Sequence, residues 1–239
     1  LIKTILKKLI LTLFIIMFFS CKNDNKNMNV NVSIENFKKG NVYLQKISDS
    51  TLINVDSIFV TNETPIILSY DIKSPELFYL YLDGSSIDKR IEFFAEKGNI
   101  NINTSLEKFN SDFSVNGSSS DSVYRDYLKV IRKFNNNSLD LIELSFKLSK
   151  NNLKDSLKIV QKNIEALNKR QYLFNLNYAV NNGDSFISPL IAINEFSQSS
   201  KVVLDTIRSS MSEEVLASKY GKMFEAIRKK KLKWVKFFN

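Results

Sequence analysis

The chain has 239 residues, 34 basic and 25 acidic, for a formal charge of +9, with no histidine and a single cysteine, Cys21. Without histidine the commonest general base and metal ligand are missing, and one thiol makes neither an internal disulfide nor a dithiol pair, so zinc, haem, iron–sulfur and blue-copper sites are not expected. Three cations, Lys3, Lys7 and Lys8, open the chain, and six follow its last acid, Glu225, which leaves residues 22–227 balanced at 25 against 25. Basic character is thus a property of the two ends, and no nucleic-acid-binding surface is expected.

An apolar run over residues 9–19 follows the basic start and leads through Ser20 to Cys21. Eleven residues fall short of the ~20 needed to span a bilayer, and a charged start, short apolar run and small-residue exit have the layout of a secretory signal. The stretch Phe18-Phe19-Ser20-Cys21 resembles the lipobox of bacterial lipoproteins, with Phe18 where leucine is usual. Residues 1–20 are therefore read as a lipoprotein signal peptide and Cys21 as the lipid acceptor; the alternative is a plain cleaved signal. The diacylglyceryl group implied by that resemblance would hold the protein durably on a membrane, since two or more chains anchor where one binds only marginally. Residues 21–27 are polar and read as a solvated tether.

From Met28 to about residue 118 the pattern is that of strands. Met28, Val30, Val32 and Ile34 alternate with Asn29, Asn31 and Ser33, the period of a half-buried strand. Seven further runs are predicted at 41–47, 52–60, 65–70, 77–82, 90–95, 100–104 and 112–116, separated by turn residues that include Gly40, Asp83-Gly84, Gly98 and Asn116-Gly117. Short strands at this spacing predict an antiparallel β-sandwich or open barrel over residues 28–118. Leu77 to Leu82 is apolar on both faces and is expected to be a central strand covered on both sides.

Past Gly117 the period becomes helical. Val123, Tyr127, Val130, Ile131 and Phe134 form one stripe, residues 135–137 (three asparagines) are expected to end that helix, and Ser138 to cap a second reaching residue 150. Leu153, Leu157, Val160, Ile164, Leu167, Gln171, Phe174 and Tyr178 then recur at alternating four and three. That heptad seam fits a coiled-coil dimer or, as the commoner case, a neighbouring helix of the same chain. Asn181-Asn182-Gly183 is expected to end it, Ser188-Pro189 to start the next helix, and two more are predicted at 200–210 and 212–234. The fold class is α+β, with residues 119–239 a helical bundle.

The β half resembles a domain of unknown function, family 4369, found at the N-terminus of thioredoxin-like thiol-disulfide reductase lipoproteins of Gram-negative bacteria. Gly40 to Leu44, Val55-Asp56-Ser57, Pro75 to Phe78, Ile91 to Ile100 and Val115 to Ser118 carry the likeness. Ser185 to Leu190 and Ser218 to Lys222 are similar to phrases of the helical linker those proteins carry next. A thioredoxin domain with a Cys-x-x-Cys pair follows that linker in them, and this sequence, with its one cysteine, is expected to lack it.

Asp56-Ser57 and Glu92 are the most conspicuous polar residues of the β half, yet no base stands ready to activate the serine, so we read them as turn and strand-edge groups. A hydrolase built on the carboxylates of Asp56 and Glu92 is the weaker reading. The aromatic strip Phe78, Tyr79, Tyr81, Phe93 and Phe94 is read as core before ligand groove. At the C-terminus Arg228, Lys229, Lys230, Lys231, Lys233 and Lys236 mix with Trp234, Phe237 and Phe238, a segment suited to an anionic membrane or an acidic partner and equally to a frayed helix end. The expected function is a lipid-anchored cell-envelope protein acting as a non-catalytic binding or assembly module, with no cofactor, no metal, no catalytic residue and no nucleic-acid partner. Its partners would be the membrane, through Cys21, and a protein of the envelope. The alternative is an accessory component of an envelope thiol-disulfide or stress-response system whose thioredoxin domain is on another chain. The expected location is the outer membrane, facing the periplasm or cell surface, although Lys22, Asp24 and Lys26 do not by themselves sort inner from outer membrane.

Overall fold

The computed structural model describes residues 26–61, 65–83 and 90–237, with side chains through residue 230. Eight strands come first, β1 (Met28–Glu35), β2 (Gly40–Ser48), β3 (Thr51–Val60), β4 (Ile66–Tyr70), β5 (Glu76–Leu82), β6 (Arg90–Ala95), β7 (Gly98–Ser105) and β8 (Phe113–Asn116). Six helices follow, α1 (Ser119–Lys150), α2 (Lys154–Asn181), α3 (Ile187–Phe196), α4 (Lys201–Ser210), α5 (Glu213–Ala217) and α6 (Lys219–Phe237). The class is α+β.

The strands form two four-stranded sheets, ordered β4-β1-β7-β8 and β3-β2-β5-β6. Between them Val30, Val32, Ile100 and Ile102 of the first meet Leu44, Phe78, Leu80, Ile91 and Phe93 of the second in one apolar core. The sandwich is not wholly antiparallel, as its sequence led us to expect: β1 pairs with β7 in parallel, Val30 opposite Ile100 and Val32 opposite Ile102. A parallel pair needs a long crossover, and the whole of the second sheet lies in sequence between these two strands. Their outward asparagines then stand in register, the Asn31 amide donating to Asn101 at 3.1 Å. The β2–β3 hairpin turns on Asp49 and Ser50, both at positive φ (48° and 67°), a conformation for which Asp is suited and which no glycine marks in the sequence.

The helical half departs from expectation at three places. Residues 135–137 do not end a helix: α1 runs 32 residues, about 48 Å at 1.5 Å per residue, because the three asparagines face solvent while Phe134, Ser138, Leu141, Ser145 and Leu148 turn inward at heptad spacing. The heptad side chains of α2 pack against α1 of the same chain, across a turn at Asn152 (φ 56°), with Val160 and Leu167 buried. Beyond its first turns this hairpin carries several exposed apolar side chains, among them Leu139, Phe146 and Ile159. Helix α3 starts at Ile187, so Ser188 is no cap; its hydroxyl donates instead to the Ala179 carbonyl at 2.7 Å and ties α3 to α2.

The third departure is the last helix. The segment expected as one element breaks at Ser218, whose extended backbone ends α5 and whose hydroxyl accepts from Gly221 N at 3.1 Å to start α6. Gly221 allows the break, since a Cβ there would lie 2.2 Å from the Val215 carbonyl oxygen.

Candidate functional site

The two halves join along β6, an edge of the second sheet. An edge strand leaves backbone groups unpaired, and the start of α1 takes their place here. Asp121 accepts from Phe94 N at 2.8 Å, Ser118 donates from its hydroxyl to the Phe94 carbonyl at 2.7 Å, and Arg125 donates to the Glu92 carbonyl. Arg125 also bridges to the Asp121 carboxylate at 3.1 Å, and Ser118 caps the helix by accepting from Asp121 N. Glu96 adds an anion at the same helix start, accepting from Ser119 N at 2.6 Å, where the helix dipole favours negative charge. Phe94 crosses the join, leaving the sandwich core to pack on Tyr124 and Tyr220 in the helical one.

Above this join the outer face of β5 and β6 forms the floor of a cleft of about 290 Å³, walled by α1, α3 and α6. Leu77, Leu190, Ile193 and Met223 supply apolar walls, and Ile47 and Lys219 stand among its lining. Polar groups converge on Glu92. Tyr79 is its direct cross-strand partner, and the Tyr124 hydroxyl donates to Glu92 Oε1 at 2.6 Å. Burial, reinforced by the Glu92 charge, pushes Tyr79 up to about 12 and Tyr124 higher still, so both hydroxyls keep their protons. Tyr220, raised by burial, accepts from Leu77 N at 3.1 Å. The Lys219 ammonium is engaged elsewhere, by the Glu76 carboxylate, which also binds Lys46 at 2.6 Å, and by the Ile47 carbonyl. Among the described residues no ion pair falls on Glu92.

The tyrosines set the alkaline limit of the fold. Their folded pKa lies above the unfolded value of 10.0, so the stability tied to their protonated state is complete below pH 10 and is lost as pH rises toward 12, where only the unfolded chain has ionised freely. Urea unfolding midpoints should therefore hold up to about pH 10 and then fall between pH 10 and 12. Midpoints that stay level through pH 12 would contradict this assignment.

Glu92 and Asp56 lie on β6 and β3, the two opposite edges of one sheet, some three strand spacings or about 14 Å apart. Asp56 is used locally, accepting from Ser69 N at 2.7 Å and so joining β3 to β4 of the facing sheet. The carboxylates therefore flank no common bond. Of the aromatic strip, Phe78 and Phe93 belong to the sandwich core and Phe94 to the helical core, whereas Tyr79 faces the cleft and Tyr81 stacks under Arg90.

The match to known families follows the same architecture. Residues 28–124 match the family model of a domain of unknown function, DUF4369. The DUF4369 match takes in all eight strands and ends at Tyr124, so Ser118 and Asp121 of the clamp on β6 and the hydroxyl on Glu92 fall inside it, while Arg125, α3 and α6 lie outside. No curated protein and no solved structure matches the chain.

The C-terminal cations do not act as a block. Arg228 is taken into the fold, donating to Asp205 at 2.8 Å and to Glu225 at 3.1 Å, while Lys229 and Lys230 are exposed. Lys231, Lys233, Trp234, Lys236 and Phe237 occupy the last turns of α6 with side chains outside the described set, and Cys21 and Phe238 lie outside the described residues altogether. No described helix is long and apolar enough to cross a membrane. The cleft residues were poorly marked in the sequence: Tyr79 read as core, Glu92 as a strand-edge group, and Tyr124, Lys219 and Tyr220 carried no functional signal.

Proposed function

We propose that the protein is a lipid-anchored, non-catalytic binding module of the cell envelope, attached through Cys21 and presenting the cleft between its DUF4369 domain and helices as the recognition site. The observation that carries the binding role is a carboxylate, Glu92, held by the Tyr124 hydroxyl beside Tyr79 at the floor of an apolar cleft: small-molecule sites are concave, mostly apolar and oriented by a few polar groups. Support for the anchor comes from the basic start, the apolar run and Ser20-Cys21, followed by a polar tether. The outer membrane, facing the periplasm or cell surface, is its proposed location.

Cys21→Ser tests the anchor. The wild type should fractionate with membranes as a processed, lipid-bearing form. The variant should accumulate as unprocessed precursor that yields no mature membrane-held protein, and equal recovery of such protein from both would overturn the assignment.

A further inference from the structure

We infer that the cleft binds an alkylammonium group, a primary amine on a short aliphatic stem, with its charge against Glu92 and its stem along the apolar walls. This rests on the cleft being the recognition site.

The carboxylate at the floor favours a cationic ligand. Tyr124 holds the Glu92 carboxylate through one oxygen, no ion pair among the described residues falls on it, and the Lys219 ammonium is drawn away to Glu76 and the Ile47 carbonyl. A wholly apolar ligand would strip water from a half-buried carboxylate without replacing its bonds, which costs free energy. A cation compensates that loss. Arg125, the neighbouring guanidinium, does not supply it, because its donors go to the Glu92 carbonyl and to Asp121.

Carboxylate geometry selects among cations. A guanidinium binds best by a two-pronged fork on both oxygens, and here Tyr124 already holds Oε1 at 2.6 Å. An ammonium is a point charge with three donors and needs one open lone pair. Leu77, Leu190, Ile193 and Met223 then suit a stem of a few methylenes, whose burial is favourable.

The same chemistry occurs in a free small amine and in a lysine side chain of a protein partner, and titration of the full chain followed by its backbone amide spectra separates them. n-Butylammonium should shift amides of β5, β6 and α3, with 1-butanol and butyrate much weaker, and Glu92→Gln should weaken the n-butylammonium affinity at least tenfold. Nα-acetyl-lysine methylamide binding at least as tightly as n-butylammonium assigns the ligand to a lysine side chain; its exclusion assigns a free amine. Ile193→Trp, which fills the cleft with Glu92 intact, should abolish binding and guards against a Glu92 variant that fails to fold. Unchanged affinity in Glu92→Gln overturns the inference. So does binding of 1-butanol or butyrate, lost in Ile193→Trp, without binding of n-butylammonium, an outcome that leaves the cleft standing as the site. If none of these probes shifts the cleft amides, both the inference and the cleft reading fail.

Discussion

Phe94→Ala is expected to destabilise the fold by about 4 kcal/mol, within the 3–5 kcal/mol typical of deleting a buried phenylalanine. Phe94 is fully buried, and its ring packs at 6.0 Å between centroids on both Tyr124 and Tyr220. The cavity left behind would be walled by the sheet on one side and by α1 and α6 on the other, elements held by their own hydrogen bonds and unable to collapse onto it. In a body of this size 1 kcal/mol shifts the midpoint by about 2–4 °C, so thermal unfolding should fall by roughly 10 °C. A loss under 1 kcal/mol would mean that the halves do not share this core. Because the ring is the main apolar link between strands and helices, the variant should also broaden the transition or split it in two, visible as divergence between strand and helix signals.

Asp121→Ala should cost about 3 kcal/mol. The side chain is 1% exposed and accepts from the Phe94 amide and from Arg125, so its removal orphans a buried N–H and a guanidinium together. Breaking a buried pair costs 3–5 kcal/mol, and the low end applies because Arg125 keeps 28% exposure and recovers some water. Asp121→Asn keeps an acceptor for Phe94 N and should lose less than half as much. If chemical denaturation shows the two variants equal, the charge on Asp121 is what matters and the strand-edge clamp is not. Phe94 and Asp121 are bonded neighbours, so the double substitution should fall short of the sum of the single losses.

Most strands were legible because their signal is local. Met28 to Ile34 alternates apolar and polar, and such a strand buries one face whatever lies beyond it. The partner is another matter. Nothing in residues 28–35 says that they pair in parallel with residues 98–105, because pairing depends on where the intervening sheet carries the chain. Helix ends failed for a related reason: Asn135, Asn136 and Asn137 have modest helix propensity, each costing well under 1 kcal/mol, and a continuous inward stripe on α1 outweighs them. At Ser218 the reverse holds, since a good helical pattern is broken because α5 must turn to let α6 reach Leu77 and Tyr79.

By itself the sequence determined the α+β class, the order and bounds of the strands and the site of the Asn181-Asn182-Gly183 helix end, all properties carried by neighbouring residues or by composition. Only the tertiary structure decided the parallel join of the first sheet, the capture of Arg228 by Asp205 and Glu225, and the cleft. That cleft draws its lining from Ile47 to Met223, and the meeting of Tyr79, Glu92 and Tyr124 exists only once an edge strand has been capped by a helix. Periodicity reports which face of an element is buried; what the buried faces enclose depends on contacts between segments far apart in the chain.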